Sequence, residues 1–196
     1  RQMRPGHKAL LALEAIGFEG SVFPVTPTYK DIRGHPCFPS IEAVPGPVDL
    51  ALIASASDRM EAELEGCIRA GARSALIFAH ALLENDRDPP ILARVAAMAR
   101  EARLPLLGPN TIGYTNYVSR TAGSWIFPPD STEPGPVALI IQSGSTYGFA
   151  NTVEPRIRFS LTAQPGQEAV LTFVDVADYA LSLSETKVLG LFIETV

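Results

Sequence analysis

The chain has too few cysteines and histidines to build a metal site by spacing. Cys37 and Cys67 lie far apart, and His7, His35 and His80 complete no His/Cys cluster. No zinc or other metal ligand set is therefore expected. A basic surplus is missing too: 16 Lys and Arg against 21 Asp and Glu leave a formal charge of -5. That argues against a general nucleic-acid binder, whose phosphate contacts need clustered cations. No run approaches the length of a membrane span, and the opening RQMRPGHK lacks the apolar core of a signal peptide. The expectation is a soluble, cytoplasmic protein with neither a membrane nor a nucleic-acid partner. Repeats, low-complexity tracts, a Walker A loop, a complete G-x-G-x-x-G fingerprint and a G-x-S-x-G elbow are also lacking. These absences leave a P-loop nucleotidase, an intact NAD-type site and a serine hydrolase without support.

What is present can fold. With 196 residues, 46% hydrophobic and 19% charged, the chain can bury a core. Leu10, Leu13 and Ile16 share a helical face that Gly17 closes, and Val22, Phe23 and Val25 read as a short strand ended by Pro27. Residues 28–47, with four prolines, exclude a long helix. DLALIAS from Asp49 reads as a strand buried on both faces. Ser57 and Asp58 are placed to cap a helix carrying Met60, Leu64, Cys67 and Ile68, which Gly71 ends. The unit repeats with a strand at 74–79, a helical stripe through Ile91, Val95, Met98 and Ala102, and a strand at 104–108. This alternation predicts an α/β fold with a parallel, doubly wound sheet.

Residues 117–136 lose all periodicity and read as a linker, which sets the domains at 1–128 and 129–196. A second α/β unit begins at Val137 with a strand, a helix from about Ser145 to Glu154, a strand at 159–163 and a turn at 164–167. A helix within the later part of 168–183 and a strand at 188–194 follow. Both ends read as cut, since the chain opens on a helix without an initiator Met and closes on a strand.

Chemistry concentrates where apolar strands end. VALIIQSGSTYG, residues 137–148, delivers Ser143, Gly144 and Ser145 to a helix start, where free N–H groups suit an anion. The same residues are consistent with an ordinary capped turn. His80 directly follows a strand, Glu194 ends one, and Asn110 follows the Gly108-Pro109 turn, with amide hydrogens for a carboxylate or phosphate. An Asx turn and a solvated strand end remain open for the last two.

GFEG at 17–20, PVTP at 24–27, GHPCFPSI at 34–41 and VDLALIA at 48–54 are followed by LLGPNTIGYTN at 106–116 and VALIIQSG at 137–144. GQEAVLTFVDVADY at 166–179 and TKVLGLFIET at 186–195 complete the series. In this order and spacing the chain resembles the NDP-forming acyl-CoA synthetases, relatives of the succinyl-CoA synthetase α subunit, over nearly its whole length. The resemblance implies a Rossmann-like CoA-binding domain followed by a flavodoxin-like domain. It also implies formation of acyl-CoA, ADP and phosphate from a carboxylic acid, CoA and ATP, through phosphohistidine and acyl phosphate. Contacts to CoA are implied for Tyr29, Lys30, Ser55, Ala56, Ala79, His80 and Ala81. A turn near the acyl substrate is implied for Asn110 and Thr111, phosphoryl binding for Ser143, Gly144 and Ser145, and orientation of the catalytic histidine for Glu194.

ATP with Mg would act through an ATP-grasp domain or β subunit absent from the chain, within a homo- or hetero-oligomer. The departures are specific. The family's first strand and glycine-rich CoA loop are missing apart from a tail at Arg4, Pro5 and Gly6. Ala81 to Glu84 replace Gly-Phe-Ala-Glu, GQEA replaces GNEA, and none of the three histidines matches the phosphorylated one. A non-catalytic CoA-binding module therefore stands as the alternative, with a nicotinamide-dependent dehydrogenase behind it on fold analogy alone.

Overall fold

The computed structural model describes residues 4–128, 132–153 and 157–194. Helix α1, Pro5–Ile16, opens with proline in its first turn, where the missing N–H costs nothing, and closes on left-handed Gly17. A small antiparallel hairpin follows, β1 (Asp31–Ile32) with β2 (His35–Pro36). The strand expected at Val22 to Val25 is reduced to one bridge, Val25 with Phe38. Prolines at 24 and 27 withhold the donors a longer ladder would need.

Three strands, β3 (Ala51–Ile53), β4 (Ala75–Ile77) and β5 (Leu106–Leu107), pair in parallel in chain order. Helices α2 (Met60–Arg69) and α3 (Ile91–Glu101) cross between them. The period of two assigns the faces. Ile53, Ala75, Ile77 and Leu106 pack with Met60, Leu64 and Val95 under these helices, while Leu52, Leu76 and Leu107 turn the other way, toward Ala9 of α1, Tyr114 and Trp125. Burying each of these large aliphatic side chains contributes about 1.5–3 kcal/mol.

One helix start differs from the sequence reading. Ser57 and Asp58 lie in a 3₁₀ turn ahead of α2 and do not cap it; the Ser57 hydroxyl donates instead to the His80 carbonyl at 2.7 Å. Helix α3 follows Pro90, and its first N–H, from Ile91, is accepted by the Asp86 carboxylate at 2.6 Å. Arg94 then joins Asp86 at 2.9 Å and Glu61 of α2 at 2.8 Å. The side chain of Arg94 is only 10% exposed, so the ion pairs lock α2 to α3 from a largely dry position.

The second sheet has five strands in the order β10-β8-β9-β6-β7. They are β6 (Gly113–Asn116), β7 (Thr121–Ser124), β8 (Val137–Ile141), β9 (Phe159–Gln164) and β10 (Val188–Phe192). β10, β8 and β9 are parallel, and the β6-β7 hairpin joins β9 antiparallel. The segment read as a featureless linker thus contains a strand, Thr121–Ser124. Its TAGS sequence has almost no apolar signal, and pairing with β6 alone defines it. The division between residues 128 and 129 falls in the connection from β7 to β8, within the span of this one sheet. Helix α4 (Gly144–Val153) and α1 cover one face, and α5 (Phe173–Ser182) covers the other. Thr172 and Asp175 form a capping box at the start of α5. The end of the helix expected at Glu154 lies outside the described residues.

The sheets meet at the turn after β9. Gly108 N–H donates to Pro165 C=O, Gln167 N–H to Pro109 C=O and Ala169 N–H to Gly108 C=O, at 2.7–3.0 Å. α1 spans the same seam, with Ala9 against the three-stranded sheet and Ala12 and Ile16 against the other. No helix among the described residues is long and apolar enough to cross a membrane.

Gly113, at φ +102°, has its Cα against the Gly123 carbonyl, where a Cβ would collide, whereas left-handed Gly34 has open space around it. Gly113→Ala is expected to cost upwards of about 3 kcal/mol by urea unfolding and Gly34→Ala about 1–2 kcal/mol; equal costs would refute the packing at the hairpin. The hydrogen bond and charge of Arg94 hold Glu61 below its ordinary 4.5, and the Ile91 N–H followed by Arg94 holds Asp86 below 3.8. Both depressed values mean stability that is present above the ordinary values and lost as pH falls through the lowered ones. The urea midpoint should therefore decline below about pH 4.5, and less steeply in Glu61→Gln. An unchanged acid slope in that variant would show the pair contributes nothing.

Candidate functional site

Parallel strands β8 and β10 run side by side, with Phe192 in register with Ile141. Their carboxyl ends consequently deliver Gln142, Ser143 and Glu194 to one place. The Gln142 side-chain carbonyl accepts the Glu194 N–H at 2.7 Å, and the Gln142 backbone N–H donates to Phe192 C=O at 3.0 Å. Helix α4 starts at Gly144, and the hydroxyls of Ser143 and Ser145 stand 3.1 Å apart. First-turn N–H groups have no acceptor within their own helix, so this end is electropositive.

Asn110 arrives from the other sheet. It sits in a left-handed conformation, φ 56°, and its N–H donates to Ala79 C=O at 2.8 Å. Left-handed Gly108 and Gly166 make the approach possible: a Cβ on Gly108 would lie 2.6 Å from Ile77 O, and one on Gly166 would lie 3.0 Å from the Asn110 carbonyl carbon. Next to it, the hydroxyl of buried Thr111 donates to Gln164 C=O and accepts the Gly113 N–H. That side chain is committed to the backbone. The buried Gln164 amide accepts the Ile112 N–H at 2.8 Å and donates to Gln142 C=O at 2.9 Å.

Asn110, Thr111, Ser143, Gly144, Ser145 and Glu194 line a single cavity of about 660 Å³. Residues far apart in sequence thus converge. Missed by sequence reasoning are Trp125 and Ile126, which form another part of the wall; they fall in the stretch without periodicity, and the lone tryptophan was the available signal. None of His7, His35 and His80 lines this cavity.

The residues matched to CoA contacts divide into two groups. Ser55 and Ala56 follow β3, and Ala79, His80 and Ala81 follow the adjacent β4. The Ser57–His80 bond ties the two turns, and Gln167, from the turn after β9, accepts the Ala81 N–H at 2.8 Å. Gly6, in the first turn of α1, stands against Ala54, so a third N-terminal element reaches the same edge. The Ser55 hydroxyl is buried with no hydrogen-bond partner among the described residues. An orphaned polar atom beside exposed Ala56 and His80 fits a polar ligand at this edge. Tyr29 and Lys30 are exposed just before the hairpin that Arg33 fastens to Glu14 in the last turn of α1.

Two possible nucleophiles are disposed of by geometry. Burial pushes the Cys67 thiol up to about 11, so little thiolate exists at neutral pH. Tyr147, beside the cavity, is buried and its hydroxyl pairs with Thr162. Among the described residues, no group of three or more His, Cys, Asp and Glu could hold a metal ion.

Two family models match this chain. Residues 1–117 match the family described as CoA binding domain, and residues 134–196 match the succinyl-CoA ligase like flavodoxin domain. The ADP-forming acetate-CoA ligase II of Archaeoglobus fulgidus is 28% identical over 97% of this chain and 29% of its own length. The α subunit of the ADP-forming acetate-CoA ligase II of Pyrococcus furiosus is 28% identical over 89% of this chain and 38% of its own. The dinucleotide-forming acetyl-coenzyme A synthetase 1 of Ca. Korarchaeum cryptofilum, solved with phosphate and ADP, superposes with a TM-score of 0.88 at 28% identity, covering 98% of this chain and 41% of that one. The chain spans between about a quarter and two fifths of the relatives it matches. It belongs to the CoA binding domain family, joined to a succinyl-CoA ligase like flavodoxin domain.

Proposed function

We propose that this chain forms the CoA-binding and ligase portion of an NDP-forming acyl-CoA synthetase. One observation carries the reading: Asn110, Ser143, Ser145 and Glu194 surround one cavity, and Asn110 is a single hydrogen bond from the Ala79 turn. In the proposed reaction an acid carboxylate attacks a phosphohistidine, the P–N bond breaks and an acyl phosphate forms. The CoA sulfur then attacks the acyl carbon, and phosphate leaves with the electrons of the C–O bond. The α4 N-terminus with Ser143 and Ser145 stabilises the phosphoryl oxygens, and Asn110 donates to the acid. The Glu194 carboxylate accepts a hydrogen bond from an imidazole N–H and so orients the ring.

Ser55, Ala56, Ala79, His80 and Ala81 hold CoA at the strand ends, with Lys30 supplying charge to its phosphates. The phosphohistidine and the ATP-grasp unit that loads it with ATP and Mg are assigned to a further segment or a partner subunit, in a cytoplasmic assembly. A second reading, a non-catalytic CoA-binding module, is favoured by the lack of any histidine in the cavity wall. Incubating the protein with its nucleotide-binding partner, labelled ATP and an acid separates the two. Acid-stable label on protein or inorganic phosphate release without phosphohistidine would sink the ligase reading.

Lys30→Ala should weaken CoA binding more at low salt than at high salt, because an exposed cation acts through screened attraction. An unchanged dissociation constant at both salts removes Lys30 from the site. Ser55→Ala should lower CoA affinity by about five- to tenfold while leaving thermal stability unchanged or raised, since it deletes an unsatisfied hydroxyl. Loss of stability with full CoA affinity would assign Ser55 to the fold instead.

A further inference from the structure

The cavity has one wall that neither phosphoryl binding nor CoA binding employs. Phe78 and Ile112, each 8% exposed, join Trp125 and Ile126 along it, facing the same space as Asn110 and Glu194. The wall reaches the phosphoryl helix itself. A Cβ on Gly144 would lie 3.2 Å from the Ile112 Cδ1, and one on Gly148 would lie 3.3 Å from the Ile126 Cδ1. The two glycines therefore let both isoleucines close on the first turns of α4. Trp125 is held at its place by Lys8, whose ammonium lies 5.2 Å from the ring centroid.

Resting on the reaction proposed above, we infer that this wall receives the tail of the acid, and that the substrate is a monocarboxylic acid with a bulky apolar tail. The charged end lies at the α4 start and Asn110, and the tail runs along Ile112, Ile126 and Trp125. The apolar lining decides against acetate. Phe78, Ile112, Trp125 and Ile126 together offer more apolar surface than one methyl group covers. A lone methyl group would leave the remaining apolar surface without contact partners. Selectivity in such a pocket grows with each added carbon, because every methylene exchanges water for the wall.

The test is calorimetric titration of the protein with acetate, hexanoate and cinnamate, and separately with CoA. Cinnamate and hexanoate are expected to bind at least about tenfold more tightly than acetate. Trp125→Leu and, as a half-buried position less coupled to folding, Ile126→Ser should each reduce that preference. Acetate binding as tightly as either larger acid, a preference that survives both variants, or no acid binding at all would overturn the inference. The CoA arm separates this from the parent reading. A bulky-acid preference without CoA binding supports the pocket and overturns the proposed reaction, whereas CoA binding without the preference overturns the pocket alone.

Discussion

Backbone amides at the ends of parallel strands lose their ladder partners, and where two sheets abut they also lose water. Gln164 meets that constraint at the seam. Its carbonyl accepts the Thr111 hydroxyl while its amide serves Ile112 N–H and Gln142 C=O. Each of these buried groups would cost about 1–3 kcal/mol if left unpaired. Gln142, held by Gln164, in turn holds the Glu194 N–H. The chain of bonds runs from the hairpin strand β6, through β9 and β8, to the end of β10. Without it, neither the Asn110 turn nor the α4 start has a fixed relation to the other.

The same seam distributes the chemistry. On one side lie the turns after β3 and β4, tied to each other by Ser57 and to the seam by Gln167. On the other lies the cavity, polar at its floor and apolar along Phe78, Ile112 and Ile126. The proposed reaction brings a thiol to the acyl carbon of an acyl phosphate, which requires the two sites to be neighbours with a defined spacing. The Asn110–Ala79 bond sets that spacing through backbone atoms alone. Side-chain substitution can tune the walls while the distance between turns is kept.

Much of the fold was legible because its signals are local. Buried strands at 49–55 and 74–79 carry continuous apolar runs, and α2 and α3 carry helical stripes. Ser143 and Glu194 were legible as strand ends, since a strand that stops at a polar residue announces where the crevice lies. The β7 strand was not legible, because TAGS has no period and owes its conformation to Tyr114 and Gly113 of β6 across the hairpin. Ser57 read as a cap because capping is a local rule; the His80 carbonyl, 23 residues away, competed for its hydroxyl and won.

The sequence by itself determined the alternation of elements, the anion-friendly start of α4 and the family, because each depends on residues adjacent or nearly adjacent in the chain. Only the tertiary structure decided that Asn110 and Glu194 share a cavity, that Trp125 and Ile126 wall it, and that the Ser57 hydroxyl ties the turns after β3 and β4. Those relations are set by hydrogen bonds and contacts spanning tens of residues, and no spacing rule encodes a partner that distant.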